Sequence, residues 1–350
     1  MKRKKVLICL SMVVMAGFLL VSWNQPAQAA EKFKFHYAYA TPKRVTHGAF
    51  VSLLIPLVEK YCNGRIEIIE HPAGELGTSE TDYLESMRAG TLDLAGVNPA
   101  VLGTISNVME LDNMPFIFRD RQTILDYHQS DIFKKKEAGL YNKGIKIMSI
   151  YVSYARGLMT ITPVTNYKQI AGMKLRSMNN KMQIKSLDAL GAVTNTLPFG
   201  ETFTALQTKT IDGNNDAANM YIMTKMYEAA PYFYNFRWMY NMGVQCMSRK
   251  AWTKLPADLQ DSFQKAMDDA TKSFLELDKK QVAKFVKDIK SGKYKVKYTE
   301  VSDKDWEAMR KIVLKKTLPE FKDRVGLDSL KWVAARDPGL KEIMKELDLY

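Results

Sequence analysis

From Lys32 to Tyr39 apolar and polar side chains alternate, the period-two pattern of a strand with one buried face. Val45 to Tyr61 changes to a helical period, interrupted by Pro56, and stops at Asn63-Gly64, a pair that ends helices. Arg65 to Glu70 alternates again. A glycine-punctuated loop from Pro72 to Glu80 enters a helix running to about Arg88, with Thr78 or Ser79 as the candidate N-cap. Ala89 to Gly96 then turns into a short apolar strand. This strand–helix–strand–helix–strand succession predicts a largely parallel sheet.

Farther on, Gln122 to Lys136 predicts one helix and Gly144 to Tyr151 another strand. Gly172 to Asp216 predicts two helices and two short strands in alternation. Arg176 ends the first strand and Asp216 falls just past the second. The aromatic stretch from Tyr221 to Tyr240 reads as core and inter-domain packing, with stacking platforms for a flat ligand as the alternative. Gly243 to Arg249 is one more strand. Pro256 opens an amphipathic helix to about Ile289, roughly 34 residues and about 50 Å long, enough to bridge two domains. Asp303 to Tyr350 reads as peripheral helices.

Composition changes this picture mainly at the N-terminus. Lys2, Arg3, Lys4 and Lys5 precede an apolar run from Val6 to about Val21, and Ala27-Gln28-Ala29 follows, the layout of a cleaved secretory signal. The run is shorter than the roughly 20 residues of a membrane span. Cleavage near Ala29 makes the mature chain an exported, periplasmic protein. It also removes four of the bases behind the formal charge of +13 and no acid, leaving +9. The remaining lysines are interleaved with acids, as in Glu276, Asp278, Lys279 and Lys280, which describes solvated helix faces and argues against a nucleic-acid partner. Cys62 and Cys246 read equally as a disulfide in an oxidising compartment or as two buried thiols. His36, His47, His71 and His128 lack metal-ligand spacing. Neither a nucleophile elbow nor a phosphate loop is present, so no catalytic residue, metal or cofactor is expected.

The candidate chemistry centres on Arg176. Loops at the carboxyl ends of strands line the ligand crevice of open α/β sheets, and an arginine there presents a planar fork of donors matched to a carboxylate. The surrounding residues run Gly172-x-Lys174-x-Arg176, Leu190-Gly191-Ala192, Pro198-Phe199, Glu201-x-Phe203-x-Ala205-Leu206-Gln207 and Asp212-Gly213. Earlier come Gly74-x-Leu76-Gly77-x-x-Glu80, Gly90-Thr91-Leu92-Asp93-Leu94-Ala95 and Pro115-Phe116. Together they resemble the solute receptors of TRAP transporters, the C4-dicarboxylate-binding type, over nearly all of the mature chain.

That resemblance implies a two-domain α/β periplasmic receptor with a ligand cleft between domains and a long connecting helix. Its domains would be residues 30–153 with 242–281, and 154–241 with 282–350, the C-terminal helices lying peripherally. It implies capture of a small organic acid and delivery to integral-membrane TRAP permease subunits. A sensor or scaffold of the same fold, and less so a periplasmic enzyme, are the alternatives. Arg176 would orient the carboxylate and Phe199 supply an apolar wall, with Arg156 reaching toward the ligand or toward Arg176. Glu80, Asn98 and Asn215 would also face the cleft, although Glu80 equally suits a first-turn acid that complements its helix dipole. One position departs from the pattern. Where these receptors commonly read Asp-Gly-Gln-Glu-Asn-Pro, this chain reads Asp212-Gly213-Asn214-Asn215-Asp216-Ala217, so the acid Asp216 replaces a neutral amide that meets the ligand. It either pairs with Arg156 or Arg176, accepts from a ligand ammonium or hydroxyl, or faces solvent.

Overall fold

A computed structural model describes residues 31–350 apart from Arg44 and Thr78. The signal-peptide expectation lies outside the described residues. In chain order the elements begin with β1 (Phe33–Tyr39), α1 (His47–Tyr61), β2 (Ile66–His71), α2 (Glu80–Ala89), β3 (Leu94–Val97) and α3 (Pro99–Leu102). They continue with α4 (Arg121–His128), α5 (Asp131–Asn142), β4 (Ile145–Ala155), β5 (Gly157–Thr160), β6 (Lys174–Ser177), α6 (Lys181–Ala189) and β7 (Val193–Thr196). Then follow α7 (Thr202–Gln207), β8 (Gly213–Asp216), α8 (Ala218–Met223), β9 (Tyr232–Asn235) and β10 (Tyr240–Ser248). Next are α9 (Arg249–Lys254), α10 (Ala257–Lys290), β11 (Lys297–Glu300), α11 (Asp303–Val325), α12 (Leu327–Ala334) and α13 (Pro338–Glu346).

Two sheets organise the molecule, in the orders β2-β1-β3-β10-β4 and β11-β9-β5-β8-β6-β7. The first is parallel through β2, β1 and β3, as the alternation predicts, but β10 runs antiparallel to both β3 and β4. In the second, β5 is the strand of opposite direction, antiparallel to β8 and β9, while β6 is parallel to β7 and β8. These reversals mark where the chain crosses between sheets. β4 leads into β5 through Arg156 alone, and the chain returns from β9 to β10 over residues 236–239. At the crossing the Arg156 N–H donates to the Met239 carbonyl at 2.8 Å.

The third crossing is α10, which fills the predicted length at 34 residues. Its Phe263, Met267, Ala270 and Phe274 pack with Phe35, Tyr37, Phe50 and Leu54 of β1 and α1. Its far end buries Ile289 in a separate core with Met159, Tyr221 and Phe233. Burying each of the two phenylalanines contributes about 1.5–3 kcal/mol. Asp278, on what reads in the sequence as a solvated face, is 3% exposed. Its carboxylate accepts from Ser153 Oγ at 2.5 Å and from Asn219 Nδ2 at 2.8 Å. One acid thus ties β4 of the first sheet to α8 beside the second.

Several local expectations change. The single helix expected over 122–136 is two, because Ser130 stops α4 and caps α5, its Oγ accepting from Phe133 N. A third strand, β7, joins the Gly172–Asp216 segment, and Asp216 is the last residue of β8 rather than lying past it. Gly-Asn-Asn-Asp has poor intrinsic strand preference, and pairing on both sides with β5 and β6 overrides it. Among the aromatic residues, Phe233, Tyr234, Phe236 and Trp238 are all buried, so these four fill the core. Cys62 and Cys246 are free and buried. Lys136 donates to the Val325 carbonyl and Ser329 Oγ, each at 2.6 Å, so it serves the end of α11.

The C-terminal helices bury Met309, Val313, Leu314, Leu318 and Leu330 in the largest core, together with Leu175 and Met182 of the second sheet's side and Phe116 and Tyr127 of the first's.

Candidate functional site

Arg176 occupies the third position of β6, opposite Asn214 of β8 and Asn195 of β7. The β8 strand ends at Asp216, whose register partner in β5 is Gly157, the residue after Arg156. Three charged side chains are thereby brought to neighbouring strand ends at the crossing between sheets. The close packing there requires Gly157, where a Cβ would lie 2.3 Å from the Phe233 ring.

The two arginines are each 5% exposed. Arg176 Nε donates to the Leu197 carbonyl at 3.0 Å, and its guanidinium lies 5.9 Å from the Phe199 ring centroid. Its terminal nitrogens make no hydrogen bond among the described residues and keep contact with solvent. Arg156 Nη2 donates to Asn241 Oδ1 at 3.0 Å, while its Nε is buried without a partner. Burial pushes the pKa of Arg176 down to about 10; Asp216 opposes this shift and Arg156 adds to it. Burial likewise lowers that of Arg156, again against Asp216.

Asp216 is 8% exposed. Its Oδ1 accepts from the Ala217 N–H at 2.8 Å, and its Oδ2 is solvent-reachable with no partner among the described residues. Burial raises its pKa, while Arg156, the Ala217 N–H and Arg176 act in the opposite direction. Among the described residues no ion pair within 4.0 Å joins it to either arginine. Asn215 turns its Nδ2 to the Arg176 carbonyl at 3.1 Å, fastening β6 to β8, and leaves Oδ1 buried without a partner. Phe199 is half-buried beside the Arg176 fork.

Glu80 and Asn98 belong to the first sheet's side, beyond the carboxyl end of β3. Ser79 caps α2 in a reciprocal box with Asp82, which frees Glu80 from that duty. Glu80 Oε2 instead accepts from the Asn98 N–H at 2.8 Å, and Asn98 Oδ1 caps α3 through Ala100 N at 3.0 Å. Burial raises the Glu80 pKa to about 7 against the pull of the Asn98 N–H. Nearby on α1 and β10, His47 is buried among Tyr151 and Gln245, and burial lowers its pKa to about 4.

These two groups act on stability in opposite directions. Glu80 is raised from 4.5, so its contribution is present in full below pH 4.5 and is lost as pH rises through about 7. His47 is lowered from 6.5, so its contribution is present above pH 6.5 and is lost as pH falls through about 4. Glu80→Gln should therefore gain about 1–2 kcal/mol over wild type at pH 8, after allowing for partial exposure, and nothing at pH 4.5. Urea unfolding across that range checks this; a difference independent of pH would contradict it.

Two partners of the site carry no sequence signal. The Leu197 carbonyl acts through the backbone, and Asn241 meets Arg156 across 85 residues of chain. The Asp278 tie was hidden inside an interleaved charge run.

The arrangement suits an anion held from one side by two guanidinium groups. The family model for bacterial extracellular solute-binding protein, family 7, matches residues 37–321. The chain belongs to that family. Among its relatives, the C4-dicarboxylate-binding periplasmic protein of Rhodobacter capsulatus is 27% identical over 75% of this chain and 78% of its own. The sugar acid binding protein of Advenella mimigardefordensis, solved with galactonate, shares the fold at a TM-score of 0.80 with 22% identity. That match covers 89% of this chain and 99% of the other. A TRAP periplasmic solute binding protein of Shewanella oneidensis, solved with succinate, matches at 0.79 and 20% identity, covering 88% and 99%. As a member of this family, the chain is an extracytoplasmic solute-binding protein, built on two sheets that the long α10 connects.

Proposed function

We propose that this receptor takes up a small organic acid in the cleft between its two sheets and delivers it to integral-membrane TRAP permease subunits. The observation that carries this is the pair of solvent-reaching terminal nitrogens on Arg176, a side chain otherwise 5% exposed and stationed beside Arg156. Taking two guanidinium groups out of water is costly unless an anion repays it. A carboxylate meets the fork of Arg176 through two parallel charge-assisted bonds. Phe199 supplies an apolar wall next to it. Closure around the acid excludes water and strengthens each of these contacts. The side chains gathered here hold charge and suit the binding of an anion. The relatives' ligands, a C4-dicarboxylate, galactonate and succinate, all present a carboxylate to this fold.

The test is native mass spectrometry of periplasmic protein purified without refolding, followed by melting with candidate acids. We expect a retained organic acid, or a rise in melting temperature with carboxylates. At a concentration of 100 times Kd the ligand adds about 2.7 kcal/mol to stability. A protein that retains no acid and is stabilised by none across mono-, di- and hydroxy-carboxylates would refute the reading.

A further inference from the structure

Asp216 is a poor neighbour for a plain dicarboxylate. It stands at the strand end beside both arginines, yet forms no ion pair within 4.0 Å with either. One of its oxygens is committed to the Ala217 N–H, and the other reaches solvent without a partner. While the site is open, water can hydrate that oxygen; a bound solute that shuts out water makes it costly unless the solute itself supplies a donor. The charge count points the same way. Arg156, Arg176 and an ionised Asp216 together carry one net positive charge, and the two arginines are the side-chain charges that act on Asp216. One carboxylate neutralises that set. A second carboxylate placed near Asp216 meets like charge at short range. The donors and the acceptor are therefore both fixed on the wall, and they ask for an anion and a donor on one small molecule.

We infer that Asp216 is a specificity-determining residue that selects a monocarboxylate bearing a hydroxyl or ammonium donor and discriminates against plain dicarboxylates. The open Oδ2 accepts from that donor while the Arg176 fork takes the carboxylate. Asp216 also keeps the wall's charge at one, so the preference is set by charge as well as by hydrogen bonding. This inference rests on the proposed role of the site in binding an organic acid, and it narrows the class of acid.

The experiment is a melting and calorimetric comparison of matched acids on wild type and Asp216→Asn. The acids are propionate, lactate and alanine, then gluconate, and the dicarboxylates succinate and malate. Wild type should bind the best donor-bearing monocarboxylate at least about tenfold more tightly than propionate or succinate, the scale of one charge-assisted hydrogen bond. Asparagine keeps the size and the acceptor oxygen but removes the charge. Asp216→Asn should lose most of the discrimination against succinate, and an ammonium-bearing ligand should weaken more than a hydroxyl-bearing one. The lactate and alanine arms separate the two donor types. Wild type binding succinate or propionate as tightly as the donor-bearing acids overturns the inference and leaves the receptor reading intact. So does a folded Asn variant with an unchanged ranking. Binding of no acid at all overturns both. Should the Asn variant fail to fold, the wild-type ranking decides alone.

Discussion

Arg176→Lys should bind the organic acid about 30-fold more weakly than wild type while melting close to it when no ligand is present. Lysine preserves the charge and most of the stem, so the loss isolates geometry. A single ammonium replaces the two parallel donors of the fork, and one charge-assisted hydrogen bond contributes about 1.5–3 kcal/mol. The substitution also gives up the bond from Nε to the Leu197 carbonyl, which fixes the plane of the guanidinium. Isothermal calorimetry with the acid identified by mass spectrometry measures the effect. An undiminished dissociation constant in a folded Lys variant would remove Arg176 from the binding role, and the proposed function would then rest on Arg156 alone.

The largest effect on stability is expected far from the ligand. Arg310 is fully buried in α11, and its guanidinium meets both oxygens of Asp337, with Nη1 to Oδ1 at 3.2 Å. Its Nε donates to the Phe116 carbonyl at 3.1 Å, and the guanidinium lies 5.3 Å from the Trp306 ring centroid. Asp337 in turn caps α13 through Gly339 N and Leu340 N. The Phe116 turn has φ of 62°, a left-handed conformation that a phenylalanine adopts only under restraint. Trp238 holds it from one side and Arg310 from the other. Asp337→Ala strands a buried cation and removes a cap, so a loss of about 3–5 kcal/mol in urea unfolding is expected. Lys284→Ala, which breaks the exposed pair with Asp288, should leave the unfolding midpoint nearly unchanged. Equal effects from the two substitutions would mean that Arg310 finds compensation elsewhere.

Much of this architecture is legible in the chain because its signals are local. The alternation from Lys32 to Tyr39 and the long apolar stripe of α10 each specify one buried face, and each becomes the expected element. Arg176 stands out for the same reason, as a base at the end of a short strand within a segment rich in family motifs. What stays hidden depends on distant partners. Asp278 looks like one acid in a solvated run until Ser153 and Asn219 close on it from the two sheets. Arg310 looks like a surface base because of its residue type, although it stands on the stripe that α11 buries with Trp306, Met309, Val313 and Leu314. The break at Ser130 was readable as a serine cap, but the helical period on both sides masked it. Asp216 draws attention through its departure from a pattern; its final place in β8 depends on pairing with β6 and β5, far earlier in the chain.

The position of β10 has a consequence for the order of events when the chain folds. Val244 pairs with Val97, and Cys246 with Ile147, so the strand between β3 and β4 is supplied about 100 to 150 residues after its neighbours. Until that segment exists, β3 and β4 have an empty slot between them, and neither edge is satisfied. The first half of the chain is therefore unable to complete its sheet by itself, however early it leaves the ribosome. Such long-range closure is intrinsically slow. The first sheet therefore acquires its full set of strand pairings only after more than two thirds of the chain has been made.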